Sequence, residues 1–368
     1  MNTCKIKDYN EKLGRLRAYM SGKGFGHVIL ARRDNFAWLT GGGDNKIFRS
    51  SDIGFGILVV SQDRVTFIAQ YMDMARIRDD ELNGFDMETI TLRWQDPSRE
   101  ETALAICKGM RTAGDFDLKG AENVQGELVR LHFPLTDYDM ERYAEVAGLF
   151  DRLLKNVADR IRPGMTEHEI EADILYEYAK ECATPKVLLV GSDERIAKYR
   201  HPNASDKKVE KLVLMHPAAE KWGLHANITR MVYFGDKLPE ELDRKYELLN
   251  RIQAQTVSML RPGVRYHEIL DERKKIFAAY GCEDEFMNHY PGATAGYFIG
   301  SAQPIIDNEE IMDRMVYDWF ITVAGAKVEE LSVSGHDGGK VLSAAGAWPL
   351  KEYAWQGKTY KLPVILLK

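Results

Sequence analysis

The sequence predicts an α+β protein in which a smaller α/β domain precedes a larger domain with internal pseudo-twofold symmetry. The main observation is a repeat: I-R-P-G-M-T-E-H-E-I (161–170) returns as L-R-P-G-V-R-Y-H-E-I (260–269). Each copy lies between two helical patterns and is followed by an apolar, strand-like run. A repeated helix–turn–helix–strand unit implies a duplicated domain. Because the preceding mixture of helix and strand patterns lacks this repeat, we place the domains at 1–134 and 135–368.

The first of these domains alternates helix and strand patterns. Residues 9–23 carry apolar side chains at helical spacing and end in glycines. Apolar runs over 54–60 and 65–69 flank the turn-forming segment S-Q-D-R, which predicts a β-hairpin. The pattern further predicts strands over 27–31 and 87–94 and helices over 101–111 and 123–131.

The second domain carries clear helix-start signals and a polar hairpin. Thr166 and Glu169 have the spacing of a capping box at the start of a helix. A strand is predicted over 186–190. A hairpin follows, with strands over 211–216 and 224–234 and a turn at 220–223. Apolar runs over 315–324 and 327–333 come after the second copy of the repeat.

The predicted hairpin bears an unusual polar load: His216, His225, Asn227, Thr229 and Arg230. Polar side chains inside apolar strands cost free energy unless they are paired. They therefore form either a structural network or a functional site. Because the domain is duplicated, a site at the junction of its halves would draw residues from both.

Composition limits the partners that the chain is expected to bind. Its formal net charge of −6 and pI near 5.9 argue against nucleic acid or an anionic membrane as an obligate partner. The four cysteines form no C-x-x-C pair and do not suggest a disulfide framework. We find no hydrophobic signal core and no apolar run of membrane-spanning length, so we expect a cytoplasmic location.

One run in the hairpin resembles a known family. G-L-H-A-N-I-T-R, preceded by L-M-H-P-A-A-E, is similar to the hairpin of the creatinase, prolidase, aminopeptidase P and methionine aminopeptidase family. The likeness extends over nearly the whole chain and is strongest from 136 to 350. It implies a pseudo-twofold "pita-bread" C-terminal domain, a creatinase-type N-terminal domain and a homodimer.

The resemblance also implies where a pair of metal ions would bind. Metal-dependent members use two Asp, one His and two Glu as ligands. In this chain the matching positions hold His216, Asn227, Ala293, Asp318 and Glu329. Because hard divalent cations favour carboxylate oxygens, we expect the dinuclear site to be lost and no cofactor to be bound. The alternative is a divalent metal (Mn, Zn or Co) held by a rearranged set of acidic residues, with Asp193, Asp206 and Glu330 nearby in sequence.

Further site residues follow from the same resemblance. His201 in Y-R-H-P matches a substrate-side histidine, and His289 in H-Y-P-G-A-T-A-G is similar to a pattern of the metal-free creatinase branch. A histidine titrates near neutrality and suits acid/base catalysis. The candidate catalytic residues are therefore His201, His289 and Glu329. Arg200, Thr229 and Arg230 are the expected substrate-binding residues, with a structural ion pair as the alternative for Arg230.

Four functions remain open from the sequence. The leading one is an Xaa-Pro aminopeptidase-like or prolidase-like pseudoenzyme that binds a peptide, a small molecule or a partner protein without catalysis. The others are an active Xaa-Pro metallopeptidase with a rearranged site, a metal-independent creatinase-like C–N hydrolase using His201, and a structural oligomer with a vestigial cleft.

Overall fold

The chain forms two compact units, Met1–Met140 and Glu141–Lys368. The computed structural model describes residues 3–298 and 300–368. Helices and strands occur in both units, and the predicted α+β class is confirmed. The assignment of residues 1–134 as a creatinase-type domain stays a prediction.

The first unit contains a mixed six-stranded sheet with flanking helices. Its strands are β1 (His27–Arg32), β2 (Ile53–Val60), β3 (Val65–Gln70), β4 (Glu88–Leu92), β5 (Thr112–Gly114) and β6 (Glu122–Asn123). Its α-helices are α1 (Thr3–Lys23), α2 (Arg33–Leu39), α3 (Tyr71–Arg76), α4 (Arg99–Ile106) and α5 (Gln125–Leu131), and a π-helix covers Ile77–Glu81. The strand order is β4-β3-β2-β1-β5-β6. The predicted hairpin is confirmed as the antiparallel pair β2–β3.

Alternating residues of the central strands form the core of this unit. Ile29, Ile57, Val59 and Ile68 are buried together on one side of the sheet, and Ala103 of α4 packs against them. Side chains two apart along a strand share a face, so this spacing produces a continuous apolar surface. The predicted helix over 101–111 extends too far toward its C-terminus. In the structure α4 ends at Ile106, and β5 begins six residues later.

The second unit is built from seven helices and several short sheets. Its helices are α6 (Asp137–Arg160, which begins in the first unit), α7 (Glu167–Lys180), α8 (Glu194–Lys198), α9 (Glu240–Ser258), α10 (Tyr266–Ala279), α11 (Glu283–Phe286) and α12 (Gln303–Ile306). Its strands are β7 (Thr184–Ser192), β8 (Leu212–Lys221), β9 (Leu224–Asn227), β10 (Arg230–Tyr233), β11 (Ala293–Ala295), β12 (Val316–Asp318), β13 (Ile321–Val323), β14 (Ala326–Val328), β15 (Leu331–Val333), β16 (Lys340–Val341), β17 (Leu350–Trp355), β18 (Lys358–Pro363) and β19 (Leu366–Leu367). These counts cover residues 3–298 and 300–368.

The sequence repeat corresponds to a repeated structure. In the first copy α6 and α7 are followed by β7 and β8, and in the second copy α9 and α10 are followed by β11 and β12. Thr166 caps α7 through a full capping box with Glu169. At the matching point of the second copy, Glu268 Oε1 accepts a 2.9 Å hydrogen bond from Arg265 N. The predicted duplicated domain is therefore confirmed.

The hairpin from the first copy differs from the prediction in two ways. The strand β8 continues through Lys221, so the turn consists of Trp222 and Gly223 alone, both with positive φ (56° and 74°). The second strand is also interrupted, because Ile228 and Thr229 separate β9 from β10. Pro217 stands opposite this break and has no N–H to donate to the ladder.

A hairpin from the second copy carries a matching interruption. The run predicted over 315–324 is divided into β12 and β13, and Glu329 and Glu330 separate β14 from β15. Residues on either side of the break keep one register, since Asp318 pairs with Leu331 and Ile321 with Val328. The two interruptions meet: Thr229 N donates a 3.0 Å hydrogen bond to Glu329 O. This backbone contact joins the two halves of the duplicated unit.

None of the helices in the described part of the chain combines the length and the apolar character needed to cross a lipid bilayer.

Candidate functional site

Polar residues converge where the two interrupted hairpins meet. His216 stands opposite Thr229, and its Nδ1 lies 3.0 Å from Thr229 Oγ1. The same Nδ1 lies 3.7 Å from Glu329 Oε2. From the first hairpin, Asn227 N also approaches Asp318 Oδ1 of the second at 3.4 Å. Residues from both halves therefore form one cluster.

The remaining position of the family's ligand set, where the family has its histidine, also lies at this cluster. Ala293 of β11 pairs directly with Asp318 of β12, and it is buried. The five positions singled out in the sequence are thus neighbours in space. The chemistry at those positions is one imidazole, one neutral amide, one methyl group and two carboxyl groups.

Lys327 places an ammonium group inside the cluster. Its Nζ lies 3.0 Å from Glu329 Oε2, and the lysine is only 4% exposed. Side chains two apart along a strand point to the same face, which brings Lys327 and Glu329 together. Our sequence interpretation missed this residue, although the K-x-E spacing in an apolar strand was a signal that could have found it.

Burial controls the ionisation of the cluster. It raises the pKa of Asp318 well above the usual range, and the carboxylate of Glu329 raises it further. Burial also raises the pKa of Glu329, an effect that the charge of Lys327 opposes. The pKa of His216 falls well below its ordinary value because of burial and then because of Lys327. The environment therefore favours neutral Asp318 and neutral His216 around a Lys327–Glu329 ion pair.

Four buried oxygens of the cluster have no hydrogen-bond partner in the described part of the chain: Asn227 Oδ1, Asp318 Oδ2 and both carboxyl oxygens of Glu329. Of these, Glu329 Oε2 still has the charge of Lys327 Nζ at 3.0 Å. An unsatisfied buried acceptor costs free energy. A protonated Asp318 would need such an acceptor for its own proton, and a bound ligand or water could also donate to these atoms.

The two candidate catalytic histidines form a pair. His201 Nε2 lies 3.2 Å from His289 Nε2, and His289 Nδ1 lies 2.9 Å from Tyr290 O. Because a carbonyl oxygen only accepts, we assign the proton of a neutral His289 to Nδ1. Its Nε2 then accepts a hydrogen bond from His201. Burial lowers the pKa of both rings, and the charge of Lys327 lowers both further.

Arg200 lies beside this histidine pair and is held by neighbouring polar groups. Its guanidinium forms an ion pair with Glu285, and Nη1 donates to Thr322 Oγ1 at 3.3 Å. Glu285 Oε1 also accepts a 3.0 Å hydrogen bond from Ala324 N. The positive charge of Arg200 contributes to the lowered pKa of His289.

Arg230 and Thr229, the other two expected substrate-binding residues, are engaged with protein groups. Arg230 is fully buried and pairs with Asp151 at 2.8 Å and Glu330 at 2.5 Å. It also donates to Ser343 O at 2.9 Å. These contacts occupy the guanidinium of Arg230 in the way expected of a structural ion pair, the alternative interpretation of this residue. Thr229, in contrast, contacts His216 within the cluster.

The fold and the position of this cluster define the class of protein. The duplicated unit of helices and antiparallel strands, with its polar cluster at the junction of the halves, is a pita-bread fold of the peptidase type. Residues 141–319 match the model of metallopeptidase family M24. This match and the relatives described next support membership of the creatinase, prolidase and aminopeptidase P family.

Individual relatives and solved structures agree with this assignment over almost the full length. The chain is 21% identical over 351 residues to an Xaa-Pro dipeptidase of Pyrococcus furiosus, an alignment covering 90% of this chain and 97% of the relative. An Xaa-Pro dipeptidase structure from Bacillus anthracis superposes with a TM-score of 0.75 at 16% identity, covering 98% of this chain and all of the other. An X-Pro aminopeptidase structure from Thermotoga maritima gives 0.74 at 17% identity, with 97% and 100% coverage. At these identities, the structural likeness shows the fold.

Proposed function

We propose that this protein binds a short peptide or peptide-like small molecule at the junction of the two hairpins, without using a pair of divalent metal ions. The observation that carries the proposal is the buried ammonium of Lys327, which lies 3.0 Å from a carboxylate at a family ligand position. The relatives named above, an Xaa-Pro dipeptidase and an X-Pro aminopeptidase, suggest the ligand class. We therefore expect a peptide with proline after its N-terminal residue.

The residues at the ligand positions do not fit two divalent ions. Such ions need several anionic oxygen ligands. Asn227 offers a neutral amide, Ala293 offers no donor atom, and the Nδ1 of His216 is engaged with Thr229. Within residues 3–298 and 300–368, no group of three or more His, Cys, Asp or Glu side chains could hold a metal ion.

In this cluster, the ammonium of Lys327 balances the buried negative charge that metal ions would balance in metal-dependent members of the family. A buried carboxylate needs a nearby positive charge, and a covalently attached ammonium supplies one without any bound ion. One ammonium balances one carboxylate, Glu329, while the raised pKa of Asp318 favours its neutral form. The pocket can then receive a ligand through neutral donors and acceptors and through the unpartnered oxygens of Asn227 and Asp318.

The test measures binding and turnover separately. Calorimetric titration of the full chain with Ala-Pro in EDTA should show saturable binding, and no alanine should be released. The variant N227L, which removes an amide with an unpartnered oxygen, should weaken binding, whereas the surface variant K351M should not. Alanine release that appears on adding Mn²⁺ and saturates with the metal would contradict the proposal.

The paired histidines support a second candidate, a metal-independent C–N hydrolase. The lowered pKa of His201 and His289 favours neutral rings, and a neutral imidazole can accept a proton from an attacking water. Release of the N-terminal residue in EDTA, lost in His201→Ala and kept in the surface control His168→Ala, would establish this activity. If the native chain releases no N-terminal residue in EDTA, the hydrolase candidate is wrong.

A further inference from the structure

The two paired histidines lie in segments without regular secondary structure. His201 is near the start of residues 199–211, which form no helix or strand between α8 and β8. His289 lies in a second such segment, between α11 and β11. The rings nevertheless keep a close arrangement, with 3.2 Å between their Nε2 atoms and 5.2 Å between their centroids. Side-chain contacts must therefore hold the two segments together.

One carboxyl oxygen of Glu285 connects the residues that precede the two histidines. Glu285 Oε2 accepts a hydrogen bond from Nη2 of Arg200, with which it also forms an ion pair. The same oxygen accepts a 3.3 Å hydrogen bond from Nδ2 of Asn288. Arg200 directly precedes His201, and Asn288 directly precedes His289. A single acceptor therefore holds both sides of the histidine pair.

The other carboxyl oxygen of Glu285 reaches the hairpin that carries Lys327. Glu285 Oε1 accepts a 3.0 Å hydrogen bond from Ala324 N, in the turn between β13 and β14. Lys327 follows in β14, and its charge adds to burial in lowering the pKa of both histidine rings. The carboxylate of Glu285 thus joins three segments that surround the pair.

The charge of Glu285 makes this contact stronger than an ordinary hydrogen bond. Burial acts to raise the pKa of Glu285, but its hydrogen bonds and the charge of Arg200 lower the pKa below the usual 4.5. Glu285 is therefore ionised near neutral pH, and hydrogen bonds to an ionised acceptor are the strong ones. The side chains of Glu285 and Arg200 are 21% and 26% exposed, so solvent ions screen the pair only in part.

We propose that Glu285 is a positioning residue of the site, whose carboxylate holds His201 and His289 within hydrogen-bonding distance of each other. Glu285 acts through Arg200 and Asn288. Its effect on peptide binding rests on the proposed function, because it requires that the peptide contacts the histidine pair. Its effect on the distance between the two rings does not, and that distance can be measured without a ligand.

The first experiment measures the histidine pair in the ligand-free chain. In the full chain with protonated histidines in a deuterated background, a nuclear Overhauser effect should connect the ring protons of His201 and His289. Glu285→Ala should abolish this signal. The matched control Glu283→Ala should keep it, because Glu283 lies in the same short helix and is exposed.

A signal that persists in Glu285→Ala would overturn the proposal. If Glu285→Ala does not fold, Arg200→Ala removes the other end of the ion pair and serves in its place. The signal should then disappear in Arg200→Ala, and its persistence there would equally overturn the proposal.

The second experiment is calorimetric titration with Ala-Pro in EDTA. Glu285→Ala should weaken binding about tenfold, which is of the order of one lost hydrogen bond, and Glu283→Ala should leave the affinity unchanged. Equal affinities of the native chain and Glu285→Ala would overturn the role of Glu285 in binding. If the native chain does not bind Ala-Pro, the proposed function fails, while the signal between the rings still decides whether Glu285 positions them.

Discussion

Replacing Lys327 with methionine tests the internal ion pair directly. The change removes the ammonium and keeps an unbranched side chain of similar length. Glu329 then loses the cation that lies 3.0 Å from it while remaining fully buried. Removing one partner of a buried pair costs about 3–5 kcal/mol. We expect K327M to lower the free energy of unfolding of the 141–368 unit by about 3 kcal/mol near neutral pH.

The loss should depend on pH in a defined direction. The pKa of Glu329 is already raised above its usual 4.5 in the folded state, and removing Lys327 would raise it further. A carboxyl group whose folded pKa is raised binds more protons in the folded chain than in the unfolded one. Stability therefore falls as pH rises through the folded pKa. The deficit of K327M should be small below pH 4.5 and grow at higher pH.

The assay is urea unfolding combined with hydrogen exchange of peptides from the second unit, at about pH 5 and about pH 8. The matched control is Lys351→Met, because Lys351 is 56% exposed and pairs with Glu247 at the surface. Such a pair contributes no more than about 1 kcal/mol. The reasoning is refuted if K327M and K351M lose equal stability at both pH values.

Three further predictions follow from other buried contacts. Arg230→Met should lower the free energy of unfolding by about 3–5 kcal/mol, because two buried carboxylates lose their partner; a change within about 1 kcal/mol in urea unfolding would contradict this. His201 should titrate below its usual pKa of 6.5 in NMR spectra, since burial and the charge of Lys327 lower it. In K327M the pKa of His201 should rise. An unchanged pKa would show that the charge of Lys327 does not act on His201. Gly292→Ala should destabilise the chain by about 1–3 kcal/mol, because a Cβ there would lie 2.9 Å from Asp318 O. If the variant has the same thermal unfolding midpoint as the native chain, that clash does not exist.

The sequence predicted the fold because the decisive signals were local. The repeat at Arg162-Pro163-Gly164 and the capping box at Thr166 mark the same helix starts that the structure shows. The central strands of both units were recognised from apolar runs and turn residues. The five family ligand positions were found by motif, and their convergence could be expected from the duplicated domain.

The missed features depend on contacts between distant segments. The apolar runs predicted continuous strands. One of them is interrupted opposite Pro217, which has no N–H to donate, and another at Glu329 and Glu330, which pair with Lys327 and Arg230 respectively. Alternation could have revealed that Lys327 accompanies Glu329. Arg273 of α10 is 2% exposed. No feature of the sequence indicated this burial, because a charged residue in an amphipathic helix ordinarily faces solvent.

Titration calorimetry with Mn²⁺ tests the central claim most directly. The native chain should show no saturable binding of two ions, because an ammonium, an amide and a methyl group occupy the inherited pocket. A variant carrying H216D, N227D, A293H and K327M restores the family ligand types, apart from the carboxylate that Asp318 shortens, and should gain affinity for the metal. Two tight Mn²⁺ sites in the native chain would contradict the account.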